Sequence, residues 1–211
     1  MEHVKTGIKE FNDLVPGFPA PGAVLVQGLP GAGKTVFALA AMDNRDKAKK
    51  IVVLTNNTPD EVKSEMETFK IKLDASFIDC YSWLSGKKAA VDSLANLSKV
   101  TFLIEDAMDE GSMVLLDSLT PLVLYNHEDE IARFIQQLSA IAKANSSIII
   151  FTIDTGTYHQ DAETTLRSLC DTVINLDIEK GLRIVKMRDT QVPQKDFYYE
   201  LGEKGFRLRA K

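Results

Sequence analysis

The stretch that decides the fold of this chain is Gly28-Leu29-Pro30-Gly31-Ala32-Gly33-Lys34-Thr35. It matches the phosphate-loop pattern of Gly, four residues, Gly, Lys and Ser or Thr. An apolar run at residues 24–26 precedes the stretch and another at 36–42 follows it, which predicts a loop between a buried strand and a helix. Because this is the context in which the pattern binds phosphate groups, we predict a nucleotide site here.

Each residue type in the loop has a physical reason to be there. Glycines let the backbone wrap around an anion, and the start of the following helix, at Val36, points free N–H groups at the phosphates. The ammonium group of Lys34 would bridge the outer phosphates, and the hydroxyl of Thr35 would hold a magnesium ion. The alternative is a glycine-rich turn that merely precedes a core helix.

Composition limits the class of protein. A chain of 211 residues fits one domain, predicted here to span residues 1–211, and is long enough to bury a full core. Apolar runs fall short of the roughly 20 residues of a membrane span, and the first residues lack an apolar secretion signal, so a cytoplasmic protein is expected. A net charge of −5 gives no general attraction to nucleic acid. Cys80 and Cys170 are expected to be buried thiols rather than a disulfide.

The middle of the chain alternates strand and helix patterns. Predicted strands are the apolar runs 51–54, 76–81, 112–118 and 147–154. Helical spacing of apolar residues follows at 100–108 and 131–142, and Thr58, Pro59 and Glu61 predict a capping box that begins another helix. This alternation predicts an α/β fold with a mostly parallel central sheet flanked by helices.

The two ends of the chain break this alternation. Residues 6–22 are punctuated by Pro and Gly, which predicts loops and one short helix. From Asp171 onward, short strands are predicted at 172–176, 182–188, 197–201 and 206–208. These short strands predict an antiparallel addition at the C-terminus of the sheet.

Two of the predicted core strands end in an acidic residue. At the carboxyl end of its strand, Asp117 is placed to hold magnesium through water and to neutralise developing charge. The alternative is that Asp117 caps the turn that follows. Asp154 ends the next strand, at the edge where ligands bind in open α/β sheets, and is a candidate sensor of the bound phosphates.

Two cations alternate with apolar residues in the predicted strand 182–188. Because strand side chains point alternately to opposite faces, Lys186 and Arg188 are predicted on one face, with Val185 and Met187 on the other. On spacing alone, a solvated strand face is the favoured explanation for the two cations.

With these motifs in order, the sequence resembles the RecA superfamily and, within it, the KaiC-like ATPases. Residues 6–11 resemble the family's opening segment, residues 114–118 its Walker B strand, and Lys186-Met187-Arg188 its terminal signature. The resemblance covers nearly the whole chain. It implies ATP or ADP with Mg²⁺ as cofactors, and a homo-oligomeric ring, with a hexamer as the favoured size, or a regulatory protein partner. It further implies that Lys186 and Arg188 reach across to the nucleotide of a neighbouring subunit.

The sequence departs from the family where hydrolysis would be catalysed. After its second strand the family usually has two adjacent glutamates, one of which activates the attacking water, whereas this chain has Thr55-Asn56-Asn57-Thr58. Asparagine cannot accept that proton, and loss of a positioned general base costs roughly 10²- to 10⁴-fold in rate, or about 3–5 kcal/mol of barrier. Nucleotide binding is therefore expected to survive while turnover falls, and the sequence identifies no catalytic residue.

The leading hypothesis is an ATP-binding regulatory or signalling protein with weak or absent hydrolysis. The alternatives are an active ATPase of the superfamily and a recombination accessory protein that binds DNA. DNA binding needs a basic loop, and the candidate, residues 155–167, carries Arg167 as its one Lys or Arg, so a nucleic-acid partner is not expected. A scaffold that the nucleotide merely stabilises is the remaining possibility.

Overall fold

The computed structural model describes residues 2–44, 47–202 and 205–209. Its strands are β1 (Glu2–Val4), β2 (Phe18–Ala20), β3 (Gly22–Gly28), β4 (Lys50–Leu54), β5 (Ser76–Asp79), β6 (Met113–Asp117), β7 (Ile148–Asp154), β8 (Thr172–Leu176), β9 (Gly181–Met187), β10 (Phe197–Gly202) and β11 (Gly205–Arg209). Its helices are α1 (Lys9–Leu14), α2 (Lys34–Met42), α3 (Pro59–Thr68), α4 (Leu97–Ala107), α5 (Glu128–Ala144) and α6 (Gln160–Leu169). None of the helices in these ranges combines the length and the apolar composition that crossing a bilayer requires.

Within the described ranges, nine strands form one sheet in the order β11-β10-β9-β8-β3-β7-β6-β4-β5. The six strands from β8 to β5 run parallel, whereas β9, β10 and β11 are joined antiparallel. Helices cover both faces of the parallel part, as crossover connections require. The predicted α/β fold, with a mostly parallel sheet and an antiparallel C-terminal region, is confirmed.

The two faces of the sheet carry separate apolar cores, because successive residues of a strand point to opposite faces. In β3, Val24 and Val26 lie in the core that also contains residues of α1, α2 and α3. Ala23 and Leu25 lie in the core that contains residues of α4, α5 and α6. A strand covered on both faces is apolar along most of its length, which explains the uninterrupted apolar run before the phosphate loop.

The predicted boundary of the antiparallel region is wrong. Strand β8, expected to be its first member, pairs in parallel with β3, with Thr172 opposite Val24. Antiparallel pairing begins only with β9. The reason is that α6 acts as a crossover helix between β7 and β8, so that β8 enters the sheet in the same direction as its neighbours.

Helix α6 also replaces most of the loop expected at residues 155–167. The helix is mostly polar, but Ala162, Leu166 and Leu169 lie at helical spacing and pack in the core that contains residues of α4 and α5. Arg167 donates from Nε to Oε1 of Gln27 at 2.8 Å and from its terminal nitrogen to Glu163 at 3.2 Å. The cation on which the DNA-binding alternative relied is therefore engaged within the fold.

Local pairing at the two ends of the chain also differs from expectation. The opening segment contains, besides α1, the strands β1 and β2, which pair antiparallel. The register between β8 and β9 shifts between Val173 and Ile174 of β8. Such a shift is typical of a β-bulge, which here adds one residue to β9. Val185 is consequently 47% exposed while Met187 is buried, so these two residues do not share the apolar face predicted for them.

Both cysteines are free and buried, as predicted. Burial raises the pKa of the Cys80 thiol to about 12, and it does the same for Cys170. Neither thiol is therefore in the reactive thiolate form near neutral pH.

An aromatic cluster ties the C-terminal strands to the helix that follows the phosphate loop. The ring of Phe37 in α2 meets Phe206 of β11 edge-on at 5.1 Å and Phe11 of α1 at 5.9 Å between centroids. Phe206 in turn stacks on Tyr199 of β10 at 4.9 Å. The cluster fixes β10 and β11 against α2, next to the loop.

Replacing Phe37 with alanine should lower the free energy of unfolding by about 3–5 kcal/mol, since it removes a fully buried ring at the centre of this cluster. Phe102→Ala is the matched control, because Phe102 is 62% exposed on α4 and its loss should cost less than about 1 kcal/mol. Urea denaturation followed by circular dichroism measures both. Equal losses in the two variants would contradict the packing described.

Candidate functional site

The carboxyl ends of the parallel strands converge on one cavity. Gly28 at the end of β3 lies opposite Asp154 at the end of β7, and Leu54 at the end of β4 lies opposite Asp117 at the end of β6. A cavity of about 370 Å³ opens here, lined by the phosphate loop, by Asp117 and Asp154, and by residues that follow β4. Parallel strands place these ends at one edge, which is where ligands bind in such sheets.

The loop has the conformation that its glycines allow. Gly31 and Gly33 have φ angles of +81° and +83°, in the left-handed region that favours glycine. Gly33 is the residue from which α2 begins. The backbone N–H groups of the first turn of α2 have no partner within the helix, so the loop and helix start form a concave site for an anion.

Lys34 lies inside this site with its charge fully engaged. The residue is 8% exposed, and its Nζ forms an ion pair with Oδ1 of Asp154 at 2.6 Å. Nζ also donates to the carbonyl oxygens of Gly28 at 3.1 Å and Leu29 at 2.9 Å. The lysine and Asp154, both singled out from the sequence, are therefore direct partners.

Thr35 and Asp117 are brought together in the same way. The Thr35 hydroxyl lies 3.0 and 3.2 Å from the two carboxylate oxygens of Asp117, and the Thr152 hydroxyl donates to the same carboxylate. Burial raises the pKa of Asp117, while the hydroxyls of Thr152 and Thr35 and the charge of Lys34 act in the opposite direction.

This donor set fits a magnesium ion. Mg²⁺ binds oxygen ligands, usually one or two from the protein together with water and phosphate oxygens. Thr35 and Asp117 supply a hydroxyl and a carboxylate at one point, and a cation beside Asp117 would offset the cost of burying its charge. These two residues are the ones that would hold the metal.

The hydrogen bonds of the next residue bear on the alternative role for Asp117. The turn after β6 is capped by the hydroxyl of Ser118, which accepts from the N–H of Thr120 at 3.0 Å. The hydroxyl of Thr55 further binds Ser118 by donating to its carbonyl oxygen at 2.5 Å. The carboxylate of Asp117 instead faces Thr35 and Thr152, so it does not provide the cap that was the other explanation.

The segment after β4 forms one wall of the cavity. Asn56 and Asn57 both line it. The predicted capping box that follows is confirmed: the Glu61 carboxylate accepts from the N–H of Thr58 at 2.7 Å and from its hydroxyl at 2.9 Å. These hydrogen bonds hold the pKa of Glu61 below its ordinary value. The carboxylate of Glu61 is thus used to start α3.

Three lining residues were missed from the sequence: Glu65, Phe69 and Leu201. Glu65 lies on the inward side of α3, where Val62 and Met66 are buried. A signal for it exists, since residues 62, 65, 66 and 69 share one face at helical spacing and Glu65 is the acidic member. Leu201 carries no comparable signal, because its place beside the loop depends on how the C-terminal strands pack.

The C-terminal strands support the loop from outside. The Tyr199 hydroxyl lies within hydrogen-bonding distance of the carbonyl oxygens of Ala32 and Asp177. Burial raises the pKa of Tyr199 to about 12. Leu201 is so close to Gly33 that a Cβ added there would lie 2.6 Å from its Cδ1. The φ angle of Gly33 favours glycine at this position, and a larger residue would also displace the end of the Leu201 side chain.

Lys186 and Arg188 lie away from this cavity. Met187 between them is opposite Thr172, which is opposite Val24, four residues before Gly28. That places them about 13 Å along the strand from their own loop. Arg188 donates to Asp171 at 2.5 Å and to the carbonyl oxygen of Pro21 at 2.7 Å, and Lys186 donates to the carbonyl oxygen of Ser168 at 3.3 Å. Action on a neighbour's nucleotide stays a prediction.

Comparisons with known proteins agree with this geometry. A solved structure of a KaiC-like protein from Pyrococcus horikoshii superimposes with a TM-score of 0.79 over 99% of both chains at 20% identity, which shows a shared fold. The archaeal flagellar ATP-binding protein FlaH of Sulfolobus acidocaldarius is 23% identical over 82% of this chain and 78% of its own length. A UPF0273 protein of Thermotoga maritima is 24% identical over 97% of this chain and 95% of its own.

A family model decides the assignment. The model described as "ATPase: KaiC" matches residues 4–211, which is nearly the whole chain and includes the phosphate loop, Asp117, Asp154 and the C-terminal strands. ATP binding is the function that this family supports. The chain belongs to the KaiC family of ATPases.

Proposed function

We propose that this chain is a regulatory protein that binds ATP or ADP with Mg²⁺ and hydrolyses ATP slowly or not at all. The observation that carries the proposal is a complete phosphate site with asparagines in its wall. Lys34, Thr35, Asp117 and Asp154 converge on one cavity, and Asn56 and Asn57 line the side where the family usually has glutamates. The site is thus equipped to bind the nucleotide and poorly equipped to hydrolyse it.

Binding is supported by the way in which Lys34 is held. The ammonium group is buried and its carboxylate partner is Asp154, so the cavity already accommodates a cation with an anion against it. A phosphate oxygen of a nucleotide would take the place of the Asp154 carboxylate and bring the N–H groups of the loop and of α2 into use. Release from Lys34 would make Asp154 respond to the nucleotide, in line with its predicted role as a sensor.

The metal would serve the same site. Thr35 and Asp117 would hold Mg²⁺, Asp117 through water, and the ion when bound would neutralise charge on the phosphate oxygens. Among this chain's own residues, residues 28–36 bind and orient the phosphates. Asn56 and Asn57 have side-chain amides that orient a water molecule but do not take its proton.

Slow turnover follows from the presence of Asn56 and Asn57 where the family usually has glutamates. The attacking water lacks the family's usual base at these two positions, and loss of a positioned general base costs roughly 10²- to 10⁴-fold in rate. A nucleotide that stays bound for long periods suits a protein that reports the nucleotide state rather than one that consumes it. The relative FlaH is described as an ATP-binding protein, which supports the same emphasis on binding.

We propose that nucleotide binding controls the assembly of copies of this chain. Lys186 and Arg188 match the family's terminal signature and lie about 13 Å along the strand from their own loop, which supports a role at another subunit's nucleotide. A ring, with a hexamer as the favoured size, would bring them there. We further propose that residues 1–211 act as one nucleotide-binding domain in the cytoplasm.

The first test is the rate of ATP turnover in the wild type and in Lys34→Ala. We expect a wild-type rate at least roughly 10²-fold below that of family members with both glutamates, and no nucleotide binding by Lys34→Ala, since the substitution removes the buried cation. Phosphate release and binding of a fluorescent ATP analogue measure the two. Brisk hydrolysis in the wild type, abolished by the substitution, would replace the regulatory proposal with a working ATPase.

The second test is whether the nucleotide controls assembly. Multi-angle light scattering should give different masses with ADP and with a non-hydrolysable ATP analogue. Lys186→Ala should weaken the assembly that depends on the ATP analogue, while Lys88→Ala, at an exposed position, should leave it unchanged. The same mass in both nucleotide states would favour the scaffold alternative, in which the nucleotide only stabilises the fold.

A further inference from the structure

We propose that Glu65, on the inward side of α3, accepts the proton of the attacking water in the slow ATP hydrolysis of this chain. It would substitute for the glutamate that positions 56 and 57 lack. The proposal rests on the proposed function, because it needs ATP in the cavity that Glu65 lines.

The position of Glu65 is the first argument. It lines the cavity together with Thr35, Asn57 and Asp117. A second groove of about 470 Å³ runs along α3 and shares Thr35, Asn57 and Glu65 with the cavity. Glu65 therefore lies where a solvent-open groove meets the phosphate site, a place that a water molecule can reach from outside.

The availability of its carboxylate is the second argument. The neighbouring carboxylates already have partners. Asp117 accepts hydrogen bonds from Thr35 and Thr152, and Asp154 forms an ion pair with Lys34. Glu61 accepts hydrogen bonds at the start of α3. Within the described ranges, the Glu65 carboxylate makes no hydrogen bond or ion pair of its own, although the residue is only partly exposed. A half-buried carboxylate without a partner is costly, and one that faces a ligand cavity has a reason to be tolerated.

The surroundings of Glu65 also suit a proton acceptor. Burial raises the pKa of Glu65. A carboxylate whose pKa lies closer to neutral is a better base than one at its ordinary value. A residue that served packing alone would be apolar, as Val62 and Met66 are on the same face of α3.

The proposed step is the transfer of the γ-phosphoryl group of ATP to water. The water oxygen forms a bond to the γ-phosphorus of ATP, and the bond from that phosphorus to the bridging oxygen of the β-phosphate breaks. The bridging oxygen keeps the electron pair and leaves as part of ADP. One proton of the water passes to the Glu65 carboxylate, which later returns it to phosphate or solvent. Products are ADP and inorganic phosphate, and no further reactant is needed.

The experiment compares Glu65→Gln with Glu67→Gln. Both replace a carboxylate with an amide of the same size on α3, but Glu67 is exposed and does not line the cavity. Single-turnover hydrolysis of radiolabelled ATP with Mg²⁺ should be at least tenfold slower in Glu65→Gln than in the wild type, and unchanged in Glu67→Gln. Equilibrium dialysis of ATP should give dissociation constants within about twofold of one another for all three proteins.

Other results would contradict either the role of Glu65 or the proposed function. A wild type that binds ATP but releases no phosphate, or a Glu65→Gln variant that hydrolyses at the wild-type rate, would overturn the role of Glu65 and leave the binding function intact. If Glu65→Gln weakens ATP binding as much as it slows hydrolysis, Glu65 contacts the bound nucleotide and is not the base. A wild type that does not bind ATP would remove the proposed function itself.

Discussion

The buried charge of Lys34 is the constraint on which the rest of the site depends. An ammonium group taken out of water is tolerated only with close partners of opposite charge or polarity. Here they are Asp154 and the carbonyl oxygens of Gly28 and Leu29. This arrangement exists because β3 and β7 are parallel neighbours whose carboxyl ends coincide, and because the loop turns sharply back at Gly31 and Gly33. A phosphate group would enter a position already built for negative charge.

The packing around the loop explains how it keeps its shape. Tyr199 and Leu201 of β10 lie against Ala32 and Gly33, and Phe206 anchors β11 on α2. The residues of the site therefore lie at strand ends and at the start of a helix. The antiparallel strands β10 and β11 pack against the loop and α2 and keep them in place. Binding elements placed on such rigid segments retain their geometry with little loss of entropy on ligand binding.

The sequence predicted the parts of the molecule in which local pattern and global fold agree. The loop has a specific spacing, its flanking strand is apolar because both faces are covered, and Thr58 and Glu61 form the expected capping box. Prediction from the sequence failed where the structure depends on contacts between residues far apart in the chain. Whether β8 runs parallel is decided by the crossover through α6, a mostly polar helix with a narrow apolar stripe at Ala162, Leu166 and Leu169. The exposure of Val185 depends on a bulge opposite Ile174. Glu65 was missed because it follows Asn56 and Asn57 by about two helical turns in sequence, and only the packing of α3 brings it to the cavity.

We propose above all that this cavity binds a purine nucleoside triphosphate with a divalent metal. Isothermal titration calorimetry of ATP with Mg²⁺ into the wild-type protein tests it most directly. We expect a saturable heat with one nucleotide bound per chain. No heat and no saturation with any purine triphosphate in the presence of Mg²⁺ would contradict it.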